Sequence, residues 1–391
     1  MTTSGHLDSS VFSRLGIRRR LGQKIRAIRN RLVADAGFQR RVARFPLTRR
    51  YARKQSEDLF RTTTGFVQSQ ILFSCVEIDL FATLAQGPLQ AQDIASRLSL
   101  PLVSIRRLLP AAKSLGLVRV DRNDLWSLDD TGAVIHGNEG IRAMIRHHAM
   151  LYRDLADPVA LLNNPDRATE ISAYWAYAGE RAGHGVSERD AQTYSALMRS
   201  SQDLVATEIL DAYPLDQHES VLDIGGGEGA FLAAAGARHP GLTLESFDLP
   251  PVAARSRSIM DAAGFGARFT AHGGNFFTNA LPGSTDCVSL VRVLCDHDDR
   301  AAFDLLKNIR RSINPDATLL IAEPMEGSDT GGSLAAAYFG FYFLAMRSGA
   351  CRSPQSITQL LDAAGFASIR RISTRNPLFA SIMTAKPRPY V

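Results

Sequence analysis

The chain has 391 residues, 45% hydrophobic and 21% charged, too long for one comfortable core and ordinary for a water-soluble protein of two or more domains. Its net charge of +6 is uneven: residues 1–50 hold 13 Lys/Arg against 2 Asp/Glu, or +11, which leaves 32 against 37, or −5, for the remainder. Four scattered cysteines, Cys75, Cys287, Cys295 and Cys351, suggest neither a disulfide framework nor a thiolate zinc site and fit a reducing cytosol. No leader-like segment opens the chain, and the longest apolar run, Leu334 to Met346, has 13 residues, which suits a buried helix rather than a membrane span.

In the basic arm, Ile17, Leu21, Ile25, Ile28 and Leu32 share one helical face, while Arg18, Arg19, Lys24, Arg26, Arg29 and Arg31 mostly occupy the rest. A basic amphipathic helix suits an anionic membrane surface, the reading preferred here; core packing with a solvated basic side and a nucleic-acid arm compete with it. From Tyr51 to Leu84 the pattern is helical, with Leu59, Phe66, Ile71, Leu72, Cys75 and Ile78 apolar, until Gly87-Pro88 breaks it. Gln92–Leu98 and Ser104–Leu115 then predict two short helices around a turn at Ser99-Leu100-Pro101. Strands at Leu117–Val120 and Leu125–Leu128 complete a winged helix. A DNA-reading helix offers several basic or amide side chains; here Arg106 and Arg107 stand among Leu102, Val103, Ile105, Leu108 and Leu109. Packing, and hence dimerisation without nucleic acid, is the expected use. Residues 139–212 look mostly helical, with His147, His148, Met150, Tyr152, Tyr174, Trp175 and Tyr177, and a loop expected over Gly179–Gly185. Aromatics so spaced are more often core than pocket.

Ser220-Val221-Leu222-Asp223-Ile224 reads as a buried strand, followed by Gly225-Gly226-Gly227-Glu228-Gly229 and a helix from Ala230 to Ala237. Glycines are needed where the chain turns sharply and its backbone must touch a ligand. A second strand, Leu242–Phe247, ends in Asp248, 21 residues beyond Gly227, where a carboxylate can accept from both ribose hydroxyls. The dinucleotide pattern fails because Ala230 stands where the final glycine would be. Asp223 is also ill-placed beside a pyrophosphate and well placed near an amino-acid ammonium group. S-adenosylmethionine is the better fit.

Over nearly all of residues 55–385 the sequence resembles the plant caffeate-type O-methyltransferases and their bacterial relatives. The resemblance rests on Val221–Gly227, Phe247-Asp248-Leu249-Pro250, Tyr194–Ser201 with Met198, and Leu319–Pro324. His147–Asp154 and Leu290–Asp299 look more particularly like the bacterial carotenoid 1-hydroxy O-methyltransferases, the hydroxyneurosporene or demethylspheroidene type. The resemblance implies an α/β class I methyltransferase: a Rossmann-like domain over 213–391, preceded by a basic arm (1–50), a mostly helical winged-helix dimerisation domain (51–135) and a helical linker and substrate cap (136–212). It implies a homodimer, cytoplasmic or peripheral on the inner membrane surface through residues 1–50, using S-adenosylmethionine to methylate the tertiary hydroxyl of an acyclic carotenoid. The expected cofactor residues are Asp223, Gly225, Gly227, Asp248, Leu249, Asn275, Phe276, Met198 and Arg292. The run Tyr338, Phe339, Phe341, Tyr342, Phe343, Leu344 and Met346 falls at the family's pocket-lining helix, although plain core packing explains it equally well.

Two departures from the plant pattern matter. His-Asp-Trp after the fourth strand is replaced by Cys295-Asp296-His297, so Cys stands at the position of the plant base. Gly-Asp-Phe is replaced by Gly274-Asn275-Phe276, which leaves an amide oxygen for the adenine amino group. A base lowers the barrier to attack by a neutral alcohol. His297 is the first candidate, since a neutral imidazole suits pH 7 and it follows the fourth strand; a structural role between Asp296 and Asp298 is the alternative. His148, on the helix expected over the pocket, is the second candidate. A phenolic or polyketide acceptor and a winged-helix regulator are the competing functions.

Overall fold

The computed structural model describes residues 9–175, 202–327 and 330–389, with side chains in the first helix from residue 22 onward. The chain divides into two compact units, Met1–Ser74 and Cys75–Val391.

The first unit is helical: α1 (Ser9–Ala34), α2 (Ala36–Arg44), α3 (Pro46–Thr63) and the start of α4 (Gly65–Glu77). Asp35 caps α2 by accepting from Phe38 N at 2.6 Å, and Pro46 opens α3 where its missing N–H costs nothing. Helix α1 spans the segment expected to be amphipathic, and on it Ile25, Ile28, Leu32 and Val33 are exposed. No residue of α2 or α3 is buried, and Phe45, Leu47, Leu59 and Phe60 are also exposed. The continuous helix expected from Tyr51 to Leu84 is divided into α3, α4 and α5 (Leu80–Ala85). The second division falls at Asp79, which takes a left-handed φ of 55°, a conformation Asp tolerates better than most residues.

The second unit opens with the winged helix. Helices α6 (Ala91–Arg97) and α7 (Leu102–Ser114) precede β1 (Val118–Val120) and β2 (Trp126–Leu128), which pair antiparallel. Asp121 Oδ1 accepts from Asn123 N and Leu125 N and so closes the hairpin turn. Helix α7 buries Ile105, Leu109 and Ala112 and leaves Arg106 and Arg107 exposed. Helices α8 (Asp130–Gly137), α9 (Glu139–Asp154), α10 (Pro158–Asn163) and α11 (Glu170–Trp175) follow, then α12 over residues 202–212. Asp154 ties α9 to α11 by accepting from Glu170 N and Ile171 N. The loop expected at Gly179–Gly185, Tyr177 and the stretch Tyr194–Ser201 with Met198 lie outside the described residues.

The remaining strands are β3 (Ser220–Ile224), β4 (Thr243–Asp248), β5 (Phe269–Gly273), β6 (Cys287–Val291), β7 (Thr318–Glu323), β8 (Phe366–Ile372) and β9 (Ser381–Pro387). They form one sheet in the order β5-β4-β3-β6-β7-β9-β8, parallel except for β9. Helices α13 (Ala230–Arg238), α14 (Pro250–Ala262), α15 (Asp299–Ser312), α16 (Thr330–Met346) and α17 (Pro354–Ala364) connect them. Helices on both faces explain why β6 and β7 are buried along their whole length, as parallel sheets require. Side chains of Leu222, Ile224, Val288 and Leu290 join one core, and those of Val221, Cys287 and Val291 the other. Edge strand β8 alternates instead, with a register shift between Ala367 and Arg370 and exposed Arg370 and Arg371 that discourage pairing with another edge. Among the described residues no helix is long and apolar enough to cross a membrane.

The segment after β6 is pinned by buried Arg352, which donates to Leu294 O at 3.0 Å, His297 O at 2.7 Å and Asp299 Oδ1 at 2.8 Å. Asp299 is 80% exposed, so that ion pair contributes little beside the two carbonyl bonds. Arg352→Leu is therefore expected to cost about 1–3 kcal/mol for each carbonyl left buried and unpaired. A lower denaturation midpoint in urea is the check.

Candidate functional site

The chain passes from β3 outward to β4 and β5 and then returns to place β6 on the opposite side of β3. Such a reversal opens a crevice at the C-terminal ends of the two strands, where ligands of open α/β sheets bind. One wall is the turn Gly225–Gly229, in which Gly225 and Gly227 have φ of 70° and 57°. A Cβ on Gly225 would lie 2.8 Å from Val293 Cγ2, and one on Gly226 would lie 2.6 Å from Asp223 Oδ2. Bare backbone is therefore required by space as well as by conformation, and the turn packs directly against the segment that follows β6.

Two carboxyl groups lie behind this cradle. Asp223 is buried and accepts from Ser289 Oγ at 2.6 Å; burial, with the Asp248 charge nearby, lifts its carboxyl to about 7. A cationic ligand would return it to the ionised form. Asp248 accepts from Gly227 N at 2.9 Å through Oδ2 and from Leu249 N at 2.7 Å through Oδ1. Burial raises its carboxyl, against the pull of those two amides. Both oxygens keep lone pairs for further donors such as a ribose diol. An ammonium site and a diol site flanking a bare backbone turn fit the nucleoside and amino-acid ends of S-adenosylmethionine.

Asn275 Oδ1 already accepts from Phe277 N at 2.8 Å, so the oxygen expected to meet adenine is engaged once by main chain. Phe276 and Phe277 contact each other edge-on and both meet the ring of His297, at 5.6 and 5.1 Å between centroids. His297 is thus half-buried in an aromatic slot, and its ring nitrogens have no hydrogen-bond partner among the described residues. Burial, with the Arg352 cation second, pushes its imidazole down to about 4. Arg292 has a left-handed φ of 57°, its N–H bonds Ala322 O at 2.8 Å, and its guanidinium lies 5.9 Å from the Phe339 ring. That contact puts Arg292 against α16.

Against the segment after β6 packs an aromatic wall made by α9, α11 and α16. His148 Nε2 and Tyr338 Oη are 2.8 Å apart, and His147 Nε2 and Tyr342 Oη are 2.7 Å apart. Trp175 Nε1 also donates to Tyr342 Oη. Burial lowers both imidazoles, that of His147 to about 4, so both are neutral near pH 7. Phe339, Tyr342, Phe343 and Met346 form a core with Leu151, Leu161, Ile171 and Cys295, which joins this wall to the end of β6. Cys295 is buried and its thiol is raised well above the ordinary range, in keeping with a group that takes no covalent part.

Sequence reasoning missed Ser289, Val293 and Arg352. Ser289 left a trace, a hydroxyl within the otherwise apolar Cys287–Val291. The contact of Val293 with Gly225 and the reach of Arg352 to Leu294 and His297 exist only in the folded chain.

Residues 152–367 match the O-methyltransferase domain and residues 60–136 the O-methyltransferase dimerisation domain. The demethylspheroidene O-methyltransferase of Cereibacter sphaeroides is 38% identical over 91% of this chain and 93% of that protein. Rat acetylserotonin O-methyltransferase is 28% identical over 83% of this chain and 76% of that protein. The solved structure of human N-acetylserotonin methyltransferase with SAM superposes with a TM-score of 0.71 at 21% identity, covering 86% of this chain and 98% of that one, and shares the fold. The chain is a member of the O-methyltransferase family, with the dimerisation domain that accompanies it.

Proposed function

We propose that this O-methyltransferase uses S-adenosylmethionine to methylate the tertiary 1-hydroxyl of an acyclic carotenoid of the demethylspheroidene or hydroxyneurosporene type. The observation that carries the substrate class is the 38% identity to the Cereibacter sphaeroides protein over 91% of this chain, against 28% to the acetylserotonin enzyme. When bound, the cofactor supplies a methyl group on a sulfonium, an electrophile for an oxygen approaching in line. Asp248 would hold the ribose and Asp223 the ammonium end, while Gly225 and Gly227 let the backbone close on the ligand. Leu249, Phe276 and Asn275 would border the adenine end, and Met198 is assigned to the same site by resemblance alone. Holding both reactants near the attack geometry supplies much of the acceleration.

The aromatic wall of α16 supports the acceptor assignment. A polyene has almost no hydrogen-bonding groups, so its affinity comes from apolar area at roughly 25 cal/mol per Å². Tyr338, Phe339, Tyr342 and Phe343 would supply such area where a polyene enters this packed aromatic cluster, with the His148–Tyr338 pair as its polar groups. Incubation with labelled S-adenosylmethionine and a panel of hydroxylated carotenoids and catechols tests the reading. Label is expected in a carotenoid methyl ether, and labelling confined to catechols would replace the acceptor class.

The dimerisation-domain match and the exposed Phe60, Phe66 and Val67 support a homodimer. For residues 1–50 we propose contact with an anionic membrane surface, where Ile25, Ile28, Leu32 and Leu47 meet lipid beside the arm's net +11. Chain lacking residues 1–50 is expected to sediment less with phosphatidylserine vesicles while keeping activity on detergent-solubilised substrate. Equal sedimentation would remove the membrane role.

Asp248→Ala is expected to weaken S-adenosylmethionine binding by about 1.5–3 kcal/mol through loss of a charged acceptor for two hydroxyls. Calorimetric titration measures this, and unchanged affinity would displace the cofactor from the crevice.

A further inference from the structure

The mechanism above leaves the hydroxyl proton without a recipient, and neither histidine named from the sequence is well arranged to take it. His297 packs edge-on against the rings of Phe276 and Phe277, and His148 Nε2 is engaged with Tyr338 Oη. Beside His297 in the chain is Asp296, the last residue of the short turn Leu294–Asp296 after β6. This turn begins one residue beyond Val293, whose side chain abuts Gly225 of the backbone cradle. On its other side Cys295 packs into the core containing Phe339, Tyr342 and Phe343. Asp296 therefore stands where the cradle and the aromatic wall meet.

We propose that Asp296 is the catalytic base, receiving the acceptor hydroxyl proton during methyl transfer. The proposal rests on the O-methyltransfer reading above. Among the described residues the only hydrogen-bond donor to the Asp296 carboxylate is the weak Cys295 thiol, at 3.6 Å. Asp296 is half-buried as a residue, with its carboxyl withdrawn from solvent enough for burial to be the main influence on it. The turn that carries it is fixed from both ends. Cys295 N donates to buried Glu323 Oε2 at 2.8 Å, and Arg352 holds the carbonyls of Leu294 and His297.

In the reaction a lone pair of the acceptor oxygen forms the new C–O bond and the methyl–sulfur bond breaks with its electrons to sulfur. The hydroxyl proton goes to Asp296 and then to solvent, so one proton is released per turnover. The groups facing Asp296 are Arg292 from the end of β6, Cys295 beside it, Glu323 from the end of β7, and Tyr342 from α16. Burial lifts the Asp296 carboxyl to about 7, and Arg292 holds it from rising further. A base poised near the working pH transfers protons most effectively, whereas the imidazole of His297, pushed down to about 4, is a weaker acceptor.

Asp296→Asn in the full-length chain is expected to lower kcat by about 10²–10⁴-fold with S-adenosylmethionine affinity and carotenoid KM nearly unchanged. Wild-type kcat rises with pH through about 7 as the carboxyl loses its proton, and the Asn variant is flat there. A readout independent of turnover is the infrared difference between wild type and Asp296→Asn without cofactor, which isolates one carboxyl titrating near neutrality from those of Asp223 and Glu323. Retention of kcat within about threefold, or a wild-type pH profile shared by the Asn variant, overturns the proposal and leaves methyl transfer intact. If the Asn variant does not fold, Asp296→Ala with added formate decides: restored turnover supports the base, and none refutes it. Wild-type chain that methylates no hydroxylated acceptor refutes both this proposal and the reading beneath it.

Discussion

The close approach of Gly225 to Val293 is the constraint on which the site depends. It joins the turn after β3 to the segment after β6 at the point where the sheet reverses its strand order. Any side chain at Gly225 would force these segments apart and would also have to adopt a φ of 70°. The same approach brings Asp223 against Ser289 across the two strands. A backbone cradle, a buried acid and the turn bearing Asp296 thus follow from one packing contact.

Charge in the crevice is arranged by burial more than by pairing. Asp223, Asp296 and Glu323 all have carboxyl groups raised to near or above neutrality, with desolvation as the main cause in each case. Such groups are costly to keep in an empty site and become useful when a cation or an ionisable hydroxyl enters. Among the described residues Glu323 Oε1 has no hydrogen-bond partner, so this carboxyl is best accommodated in its neutral form, with the other oxygen holding the Cys295 amide. The histidines of the aromatic wall are neutral and hydrogen-bonded to tyrosines, which makes that wall chiefly a shaped apolar surface.

The sheet was legible where composition and connectivity agreed. Ser220–Ile224 is an apolar run closed by glycines, and the strand occupies those residues. Leu242–Phe247 is displaced by one residue to Thr243–Asp248, which carries the terminal aspartate into the strand. The winged helix was equally readable because Pro101 and the Asp121–Asp124 turn punctuate it. The breaks at Thr64 and Asp79 were not, since neither residue is an obligatory helix breaker and apolar residues recur on both sides. Asp223, Gly225, Gly227 and Asp248 were named from local order alone and lie together in the structure. Arg292 and His297 lie near them in sequence logic but face α16 and two phenylalanines respectively, because the chain turns sharply after Val291.

Hydrogen–deuterium exchange with and without S-adenosylhomocysteine tests the central claim, that the crevice between β3 and β6 is the cofactor site. Ligand is expected to slow exchange in peptides covering residues 223–229, 247–250 and 292–297, the segments that form its walls, while β8 and the winged helix change little. Binding that leaves those three segments unprotected would contradict the account.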